Sequence, residues 1–460
     1  MSKGILFGIF CSFILNSTTI YGSSTNLFKK RSANRSEWTR KKTGTFDVKI
    51  APHQKDALFD QSHPVTYDVS IFNHYSQTQE GKISIEVKYP SGGIVGVIET
   101  DFKIRSGQKK KIVYEIPVKE PGIYDLYFKI NLTDYDDTIR NVFGYRALEI
   151  NTPVHMPEDF DSFWQKTISD LSLVHPEYSV KFDPSLSTIS HNVYRVEMQS
   201  LGGVTVYGWL TSPKVGGYYP VLVGFPGYRV TLKPLYADDF VIFQFNIRST
   251  KAEGDIILEK EYDYTLYDID NKDKYIYRGA YMDCIRAIDF IYSRSDDGLN
   301  IDTSRIAVTG GSQGGALALV TAALDHRVKA CITDNPIYCD INNLVEISGR
   351  KNPVEWPVNK YKDYLQHSPG LTMKNILRTM DYFDPQNFTP LIKCPVLLGL
   401  GLLDIMAPPS TIFAAYNKLS KATKQKSETY SFHLLAHEVT MRHRNFQSQW
   451  LLEKLAYSKK

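Results

Sequence analysis

Short segments in which apolar and polar residues alternate follow one another from Thr45 to Ile150. They are TFDVKI, VTYDVSIFN, GKISIEVKYP, IVGVIETDFKI, KKKIVYEIPV, GIYDLYFKINL and NVFGYRALEI. A period of two predicts strands with one buried face, and the Pro, Gly and Ser residues between the segments are typical of turns. Seven such strands predict an all-β, immunoglobulin-like sandwich over residues 45–150. Tyr75 and Tyr135 in this domain are candidates for glycan binding if exposed, although we favour a packing or spacer role.

The pattern changes at residue 151, where strands begin to alternate with helical segments. VYRVEMQSLGGVTVYGWLTSP predicts a strand, a Gly-Gly turn and an antiparallel second strand. PVLVGFPGY, DFVIFQFNIR, the helical YRGAYMDCIRAIDFIYS and SRIAVTGG follow in that order. This alternation predicts a mostly parallel sheet covered by helices on both faces. We therefore expect an α/β-hydrolase domain over residues 151–460.

The first residues have the pattern of an export signal. Lys3 precedes the apolar run GILFGIFCSFIL, and the small residues Gly22, Ser23 and Ser24 follow it. The run is shorter than the ~20 apolar residues that a transmembrane helix requires. We predict a signal peptide over residues 1–23, a linker over 24–44, and a protein that is periplasmic or secreted and has no membrane partner after signal removal.

Charge and cysteine usage narrow the function classes. The 460 residues include 54 basic and 50 acidic side chains, a net charge of +4, and these are interspersed, so nothing indicates a nucleic-acid partner. An oxidising compartment would permit disulfides among Cys284, Cys331, Cys339 and Cys394, but all four lie in or beside apolar segments, which favours buried free thiols. Neither a CxxC pair nor a Cys/His zinc spacing occurs.

Ser312 lies in Gly310-Gly311-Ser312-Gln313-Gly314, a match to G-x-S-x-G between a predicted strand and a predicted helix. A serine on so tight a turn needs neighbours without side chains, because Cβ atoms would clash with the adjoining strand and helix. A structural or phosphate-cradling glycine turn is the alternative. The phosphate fingerprint, however, requires G-x-G-x-x-G or a P-loop lysine, and neither occurs. We therefore predict that Ser312 is a nucleophile.

A serine nucleophile requires a base and an orienting carboxylate, here in the chain order Ser, acid, His. The strand CPVLLGLGLLD ends in Asp404, and the last strand, TYSFHLLAHE, leads into His437. His433 lies four residues before His437, but the segment alternates like a strand and then turns, which argues against a helical metal pair.

Three further polar residues lie near these segments. His443, between two arginines in the final helix, is expected to be solvated. Asp334 and Asp340, in DNPIYCD, are expected to serve as pocket wall or loop structure.

The oxyanion of an acyl transfer needs convergent backbone donors. The N–H of Gln313 follows the nucleophile at the helix start, and the loop GFPGY, after an early strand, supplies Tyr228 N–H as the second candidate.

Several motifs of this sequence resemble those of the acetyl xylan esterase and cephalosporin-C deacetylase family, also called carbohydrate esterase family seven. The resemblance begins at about Pro157 and extends to the C-terminus. It rests on PEDFDSFW, FPGY, YRGAYMDCIRAIDF, GGSQGGALAL, DNPIYCDI, GLLDIMAPPSTIFAAYN and AHE. It implies a triad of Ser312, Asp404 and His437, an oxyanion hole of the Tyr228 and Gln313 amides, and no metal or organic cofactor.

The resemblance also implies deacetylation of small acetylated sugars or xylo-oligosaccharides, and a closed homo-oligomer whose active sites face an interior chamber. This chain departs from the family pattern at two places. Arg248-Ser249-Thr250 stands where the family commonly has Arg-Gly-Gln, and Pro226 stands where it often has His. We expect these differences to affect substrate preference more than reaction class.

Two other functions are compatible with parts of the pattern. A serine peptidase of the prolyl oligopeptidase type shares the fold and the triad order. Such enzymes usually carry a propeller of repeated blades, and the N-terminal region shows no such repeat. A non-catalytic glycan-binding protein is the second alternative, and the intact Ser, Asp and His argue against it.

Overall fold

The computed structural model describes residues 45–90, 92–248, 263–295, 297–350 and 354–456. These residues fall into two compact units, one of residues 45–150 with Ser431–Leu434 and one of residues 151–430 with 435–456. The predicted signal peptide (1–23) and linker (24–44) lie outside the described residues.

The first unit is all β. Its strands are β1 (Phe46–Pro52), β2 (Leu58–Phe59), β3 (Thr66–Asn73), β4 (Gln79–Lys88), β5 (Ile94–Ile104), β6 (Lys109–Glu115), β7 (Gly122–Leu132) and β8 (Tyr135–Tyr145). They form a three-stranded sheet in the order β1-β3-β6 and a five-stranded sheet in the order β2-β8-β7-β4-β5. Among the described residues of this unit, the short β2–β8 pair is parallel and the other strand pairs are antiparallel.

The alternating faces of the two sheets form the core of this unit. Every second residue of β3 is buried, beginning with Tyr67. The Tyr67 ring lies 5.8 Å from the ring of Phe128 in β7 and 6.3 Å from that of Phe143 in β8, so aromatic contacts join the two sheets.

The last predicted strand of this unit, NVFGYRALEI, ends at Tyr145 and is followed by a 3₁₀ turn at Ala147–Glu149. The structure differs from the sequence-based prediction in two further places. It has an eighth strand, β2, whose two residues are too few to show a period. Moreover, β8 begins at Tyr135, six positions earlier than Asn141, because its first residues are polar and exposed and show no buried alternation.

The idea that Tyr75 and Tyr135 are exposed is wrong. Both rings pack against Phe46, at 5.3 and 5.0 Å, and both are half-buried. A packing role fits this arrangement.

The second unit is a sheet of nine strands flanked by helices. The strands are β9 (Ser179–Phe182), β10 (His191–Ser200), β11 (Val204–Pro213), β12 (Tyr219–Phe225), β13 (Val241–Asn246), β14 (Ile301–Gly311), β15 (Val328–Asp334), β16 (Val396–Gly401) and β17 (Glu428–Phe432). The helices are α1 (Phe160–Ser172), α2 (Ile276–Tyr292), α3 (Gln313–Leu324), α4 (Ile341–Gly349), α5 (Val358–Gln366), α6 (Met373–Met380), α7 (Pro385–Phe388), α8 (Pro409–Tyr416), α9 (Lys421–Lys424) and α10 (Met441–Lys454). Among the described residues, short 3₁₀ turns are found at Tyr264–Leu266 and Thr389–Leu391 in this unit and at Ala147–Glu149 in the first unit.

The strand order is β17-β16-β15-β14-β12-β13-β11-β10-β9. As predicted, β10 and β11 form an antiparallel hairpin, and the strands β13, β12, β14, β15 and β16 are mutually parallel. The carboxyl ends of these parallel strands therefore meet at one edge of the sheet, where an open α/β sheet binds its ligands.

Helix α3 lies against the centre of this sheet. Its sequence, QGGALALVTAAL, is apolar on all sides, and residues 313–323 are all buried. A helix of this kind requires cover on every face. The turn before it is therefore held in place by the core itself.

The prediction of buried free thiols is confirmed for Cys284, Cys331, Cys339 and Cys394. Among the residues with described positions, no helix is both long and apolar enough for a membrane crossing. In the same set, no group of His, Cys, Asp or Glu side chains is arranged to hold a metal ion.

Two glycines allow the close approach of β14, α3 and β12 around the turn. A Cβ on Gly310 would lie 2.3 Å from the backbone carbon of Gly314. A Cβ on Gly314 would lie 2.3 Å from the carbonyl oxygen of Phe225. Since both obstacles are main-chain atoms, neither can move aside as a flexible side chain would.

We predict that Gly314→Ala destabilises the protein, although alanine is the better helix former, because the added methyl group overlaps the Phe225 carbonyl. Overpacking of this kind costs about 1–3 kcal/mol, measurable by denaturant or thermal unfolding. Gly311→Ala is the matched control, since its Cβ would lie 3.8 Å from the nearest atom, the Asp334 carbonyl oxygen. Equal stability of the two variants would contradict the packing argument.

Candidate active site

Ser312 occupies the sharp turn between β14 and α3. Its backbone is in the positive-φ region, at φ 59° and ψ −122°, which is unusual for a residue with a side chain. Its N–H donates to the carbonyl oxygen of Asp334 at the end of β15, at 2.8 Å. The residue is half-buried, so its hydroxyl is presented at the sheet edge as G-x-S-x-G predicts.

Asp404 follows β16, and its carboxylate is fully engaged. Oδ1 accepts hydrogen bonds from the N–H groups of Met406 and Ala407, at 2.9 and 3.0 Å. Oδ2 lies 2.6 Å from Nδ1 of His437. The side chain is completely buried, so this contact is a shielded charge-assisted hydrogen bond.

His437 lies in the irregular segment after β17, with its side chain 22% exposed. Its Nδ1 is committed to Asp404, and its Nε2 has no hydrogen-bond partner among the described residues. Ser312 and His437 are therefore not hydrogen-bonded in this structure. With the Nδ1 proton directed at Asp404, Nε2 carries the lone pair that a general base needs.

The loops that carry the acid and the base are also joined through the main chain. The N–H of Leu403 donates to the carbonyl oxygen of Leu435 at 2.9 Å. The strand predicted over TYSFHLLAHE ends at Phe432, before His433. As predicted, His433 and His437 do not share a helix.

Asp334 and His443 form a buried pair below the site. The Asp334 carboxylate lies 3.2 Å from Nε2 of His443 and accepts from Nε2 of Gln447 at 2.8 Å. The expectation that His443 is solvated is wrong, since it is only 2% exposed. Gln447 lies one helical turn after His443 in α10, and this i, i+4 spacing places both on the inward face.

Asn335 is a site residue that the sequence analysis missed. Its side-chain oxygen accepts from the N–H of Gly401 at 2.8 Å, and its own N–H donates to the carbonyl oxygen of Gly399 at 2.8 Å. Its φ of 43° is in the region that Asn tolerates better than most residues. The signal in the sequence that could have identified it is an asparagine directly after a predicted buried strand.

Asp340 precedes α4 and accepts from Nδ2 of Asn343 at 3.0 Å. Burial raises the pKa of its carboxyl group. These contacts fit a role in loop structure.

The two predicted oxyanion donors are both available. Tyr228 lies in the loop after β12, and Gln313 is the first residue of α3. Across the described ranges, neither backbone N–H donates to a protein acceptor. The Tyr228 hydroxyl donates to the carboxylate of Asp263, and its ring stacks on that of Tyr264 at 5.6 Å. Burial, and then the Asp263 carboxylate, raise the pKa of Tyr228.

Arg248 follows β13 and is the one residue of the family's Arg-Gly-Gln that this chain keeps. It is paired with an aspartate. Its guanidinium donates to both carboxylate oxygens of the buried Asp283, at 2.9 and 2.8 Å. A Cβ on Gly279 would overlap this guanidinium, so the glycine makes room for the pair. Ser249 and Thr250 lie outside the described residues.

Comparison with known proteins gives a consistent assignment. The family model described as acetyl xylan esterase (AXE1) matches residues 148–454. Acetyl esterase Axe7A of Xylanibacter ruminicola is 27% identical over 385 residues, which cover 80% of this chain and 82% of that protein. That alignment is longer than residues 151–460, so the similarity extends into the first unit, beyond the resemblance that began near Pro157.

Solved structures agree with this result. Acetyl xylan esterase from Paenibacillus sp. R4 is 28% identical to this chain, with a TM-score of 0.59. The match covers 67% of this chain and 98% of that protein. Acetyl xylan esterase 1 from Thermoanaerobacterium sp. has a TM-score of 0.59 at 23% identity and covers 68% of this chain and 98% of its own. The second likeness supports the fold alone. With a family match over most of its length, the chain belongs to the acetyl xylan esterase family and is a carboxylic ester hydrolase with an α/β-hydrolase fold.

Proposed function

We propose that this esterase removes acetyl groups from small acetylated carbohydrates such as xylo-oligosaccharides, through an acetyl intermediate on Ser312. One observation carries the assignment of the residues. The 2.6 Å pair of His437 and Asp404 follows β16 and β17, at the same edge of the sheet as the Ser312 turn. The names of the relatives, acetyl esterase and acetyl xylan esterase, support the acetylated substrate.

In the first step, Nε2 of His437 takes the proton of the Ser312 hydroxyl as Oγ forms a bond to the acetyl carbonyl carbon. The carbonyl electrons move to oxygen, where the N–H groups of Tyr228 and Gln313 receive the negative charge. The intermediate collapses, the bond to the sugar oxygen breaks, and the alcohol leaves with the proton from His437. Water then repeats the sequence and releases acetate.

Asp404 acts on the histidine in this scheme. Two backbone N–H groups fix its Oδ1, so Oδ2 stays directed at Nδ1 of His437. This arrangement selects the tautomer with a free Nε2 and stabilises the imidazolium that forms during attack. The scheme needs no cofactor or metal, as the family resemblance implies.

The test is acetate release from a panel of acetylated oligosaccharides and from p-nitrophenyl acetate, with a prolyl peptide as the competing substrate. We expect ester hydrolysis by the wild type and none by Ser312→Ala, which removes only a half-buried hydroxyl and leaves the melting temperature unchanged. Preferential peptide cleavage would favour the peptidase alternative. Failure of an organophosphate to label Ser312 would favour a binding protein.

Asp404→Asn is expected to lower kcat by about 10³–10⁴-fold, because an amide that donates to Nδ1 imposes the wrong histidine tautomer. The backbone bond between Leu403 and Leu435 should keep the loops in place, so the melting temperature serves as the control for folding. Turnover near the wild-type rate would show that another carboxylate is the partner of His437.

We also propose that the protein is exported to the periplasm or secreted, on the evidence of the Lys3 and apolar-run pattern. Mass spectrometry of the protein recovered outside the cytoplasm should give a mature N-terminus near residue 24, and an intact Met1 would contradict removal of a signal peptide.

Light scattering on the same sample would decide whether the protein is the homo-oligomer that the family resemblance implies.

A further inference from the structure

The side chain of Gln313 is completely buried and uses all of its hydrogen-bonding directions. Its Oε1 accepts from the hydroxyls of Tyr264 and Tyr277, at 2.7 and 2.6 Å. Its Nε2 donates to the carbonyl oxygens of Pro226 and Gly227, at 3.3 and 3.5 Å. The amide thus joins the start of α3 to the loop after β12.

These four contacts allow only one orientation of the amide. The carbonyl oxygens of Pro226 and Gly227 can only accept, so the NH₂ group of Gln313 must face them. Oε1 then faces the two phenols, which must donate to it. Burial raises the pKa of Tyr277 well above its usual value, so this phenol keeps the proton that it donates.

The contact with Gly227 bears on the second oxyanion donor. The carbonyl of Gly227 and the N–H of Tyr228 belong to one planar peptide, so a hydrogen bond to that oxygen fixes the direction of the N–H. The backbone N–H of Gln313 is the first donor, and it lies on the same residue as the amide. A single side chain therefore links the two groups that must converge on one oxygen atom.

We propose that the side chain of Gln313 is a positioning residue that aligns both oxyanion donors, and that Tyr264 and Tyr277 hold its amide in the required orientation. The inference rests on the proposed acyl transfer. Tyr264 has a second contact with the same loop, because its ring stacks on Tyr228 with an interplanar angle of 24°. Correct placement matters most in the transition state, where the charge develops.

The test uses Tyr264→Phe, Tyr277→Phe, the double variant and Gln313→Met, which keeps the length of the side chain and removes its polar atoms. Tyr281→Phe is the matched control. Tyr281 lies one turn after Tyr277 in α2, is equally buried, and donates to the carbonyl oxygen of Phe383 at 2.8 Å without contacting Gln313. It loses a comparable buried hydrogen bond.

The two readouts are steady-state hydrolysis of p-nitrophenyl acetate and inhibition by phenylboronic acid. Phenylboronic acid forms a tetrahedral adduct with a nucleophilic serine. Loss of a whole oxyanion donor costs ~10²–10³-fold in kcat, so we expect misalignment to cost ~10-fold for each single Tyr variant and ~10²-fold for the double variant and Gln313→Met. KM should change by less than about 2-fold, since the donors act on the transition state, and boronate affinity should fall in parallel with kcat.

Variants whose kcat and boronate affinity match those of Tyr281→Phe would overturn the inference, and so would a rise in KM at constant kcat. If the double variant does not fold, the two single variants decide by the same comparison with the control. A wild type that releases no acetate, or a fully active Ser312→Ala, would overturn the proposed function and this inference together.

Discussion

The hydrogen bond from the Ser312 N–H to the Asp334 carbonyl is the interaction on which the site depends. A serine at φ 59° is strained by about 1–3 kcal/mol and keeps this geometry only where its surroundings enforce it. Asp334 ends β15, an interior strand that lies between β14 and β16. The strained turn is therefore anchored to a strand that is paired on both sides.

The same end of β15 also organises the acid side of the site. Asn335 binds the backbone at Gly399 and Gly401, and Gly401 is the last residue of β16, just ahead of the loop with Asp404. Below it, the Asp334 carboxylate is buried against His443 and Gln447 of the final helix. The pairing offsets the cost of burying that charge. The carboxyl end of β15 therefore helps to position both Ser312 and the loop that carries Asp404.

Much of the architecture could be predicted from the sequence because the informative patterns are local. Alternation marked the strands of the first unit, and G-x-S-x-G with its flanking strand and helix placed Ser312 on a sharp turn. The parallel sheet then implied that Asp404 and His437 follow strand ends at one edge, and the structure joins them at 2.6 Å.

What the sequence could not supply depends on contacts between distant residues. His443 lies between two arginines, so its neighbours in the sequence suggest exposure to solvent, whereas in the structure it is buried and paired with Asp334, over a hundred positions away. The sequence predicts a role for the Gln313 backbone alone, because the tyrosines that contact its side chain lie in other segments of the chain. The two-residue β2 is likewise defined by its partner strand and not by its own composition.

The main-chain bond between Leu403 and Leu435 has a practical consequence for redesign. Since this bond joins main-chain atoms of residues 403 and 435, a substitution at position 404 or 437 removes neither of its partners. We therefore expect variants with other reactive groups at these two positions to keep this link between the loops.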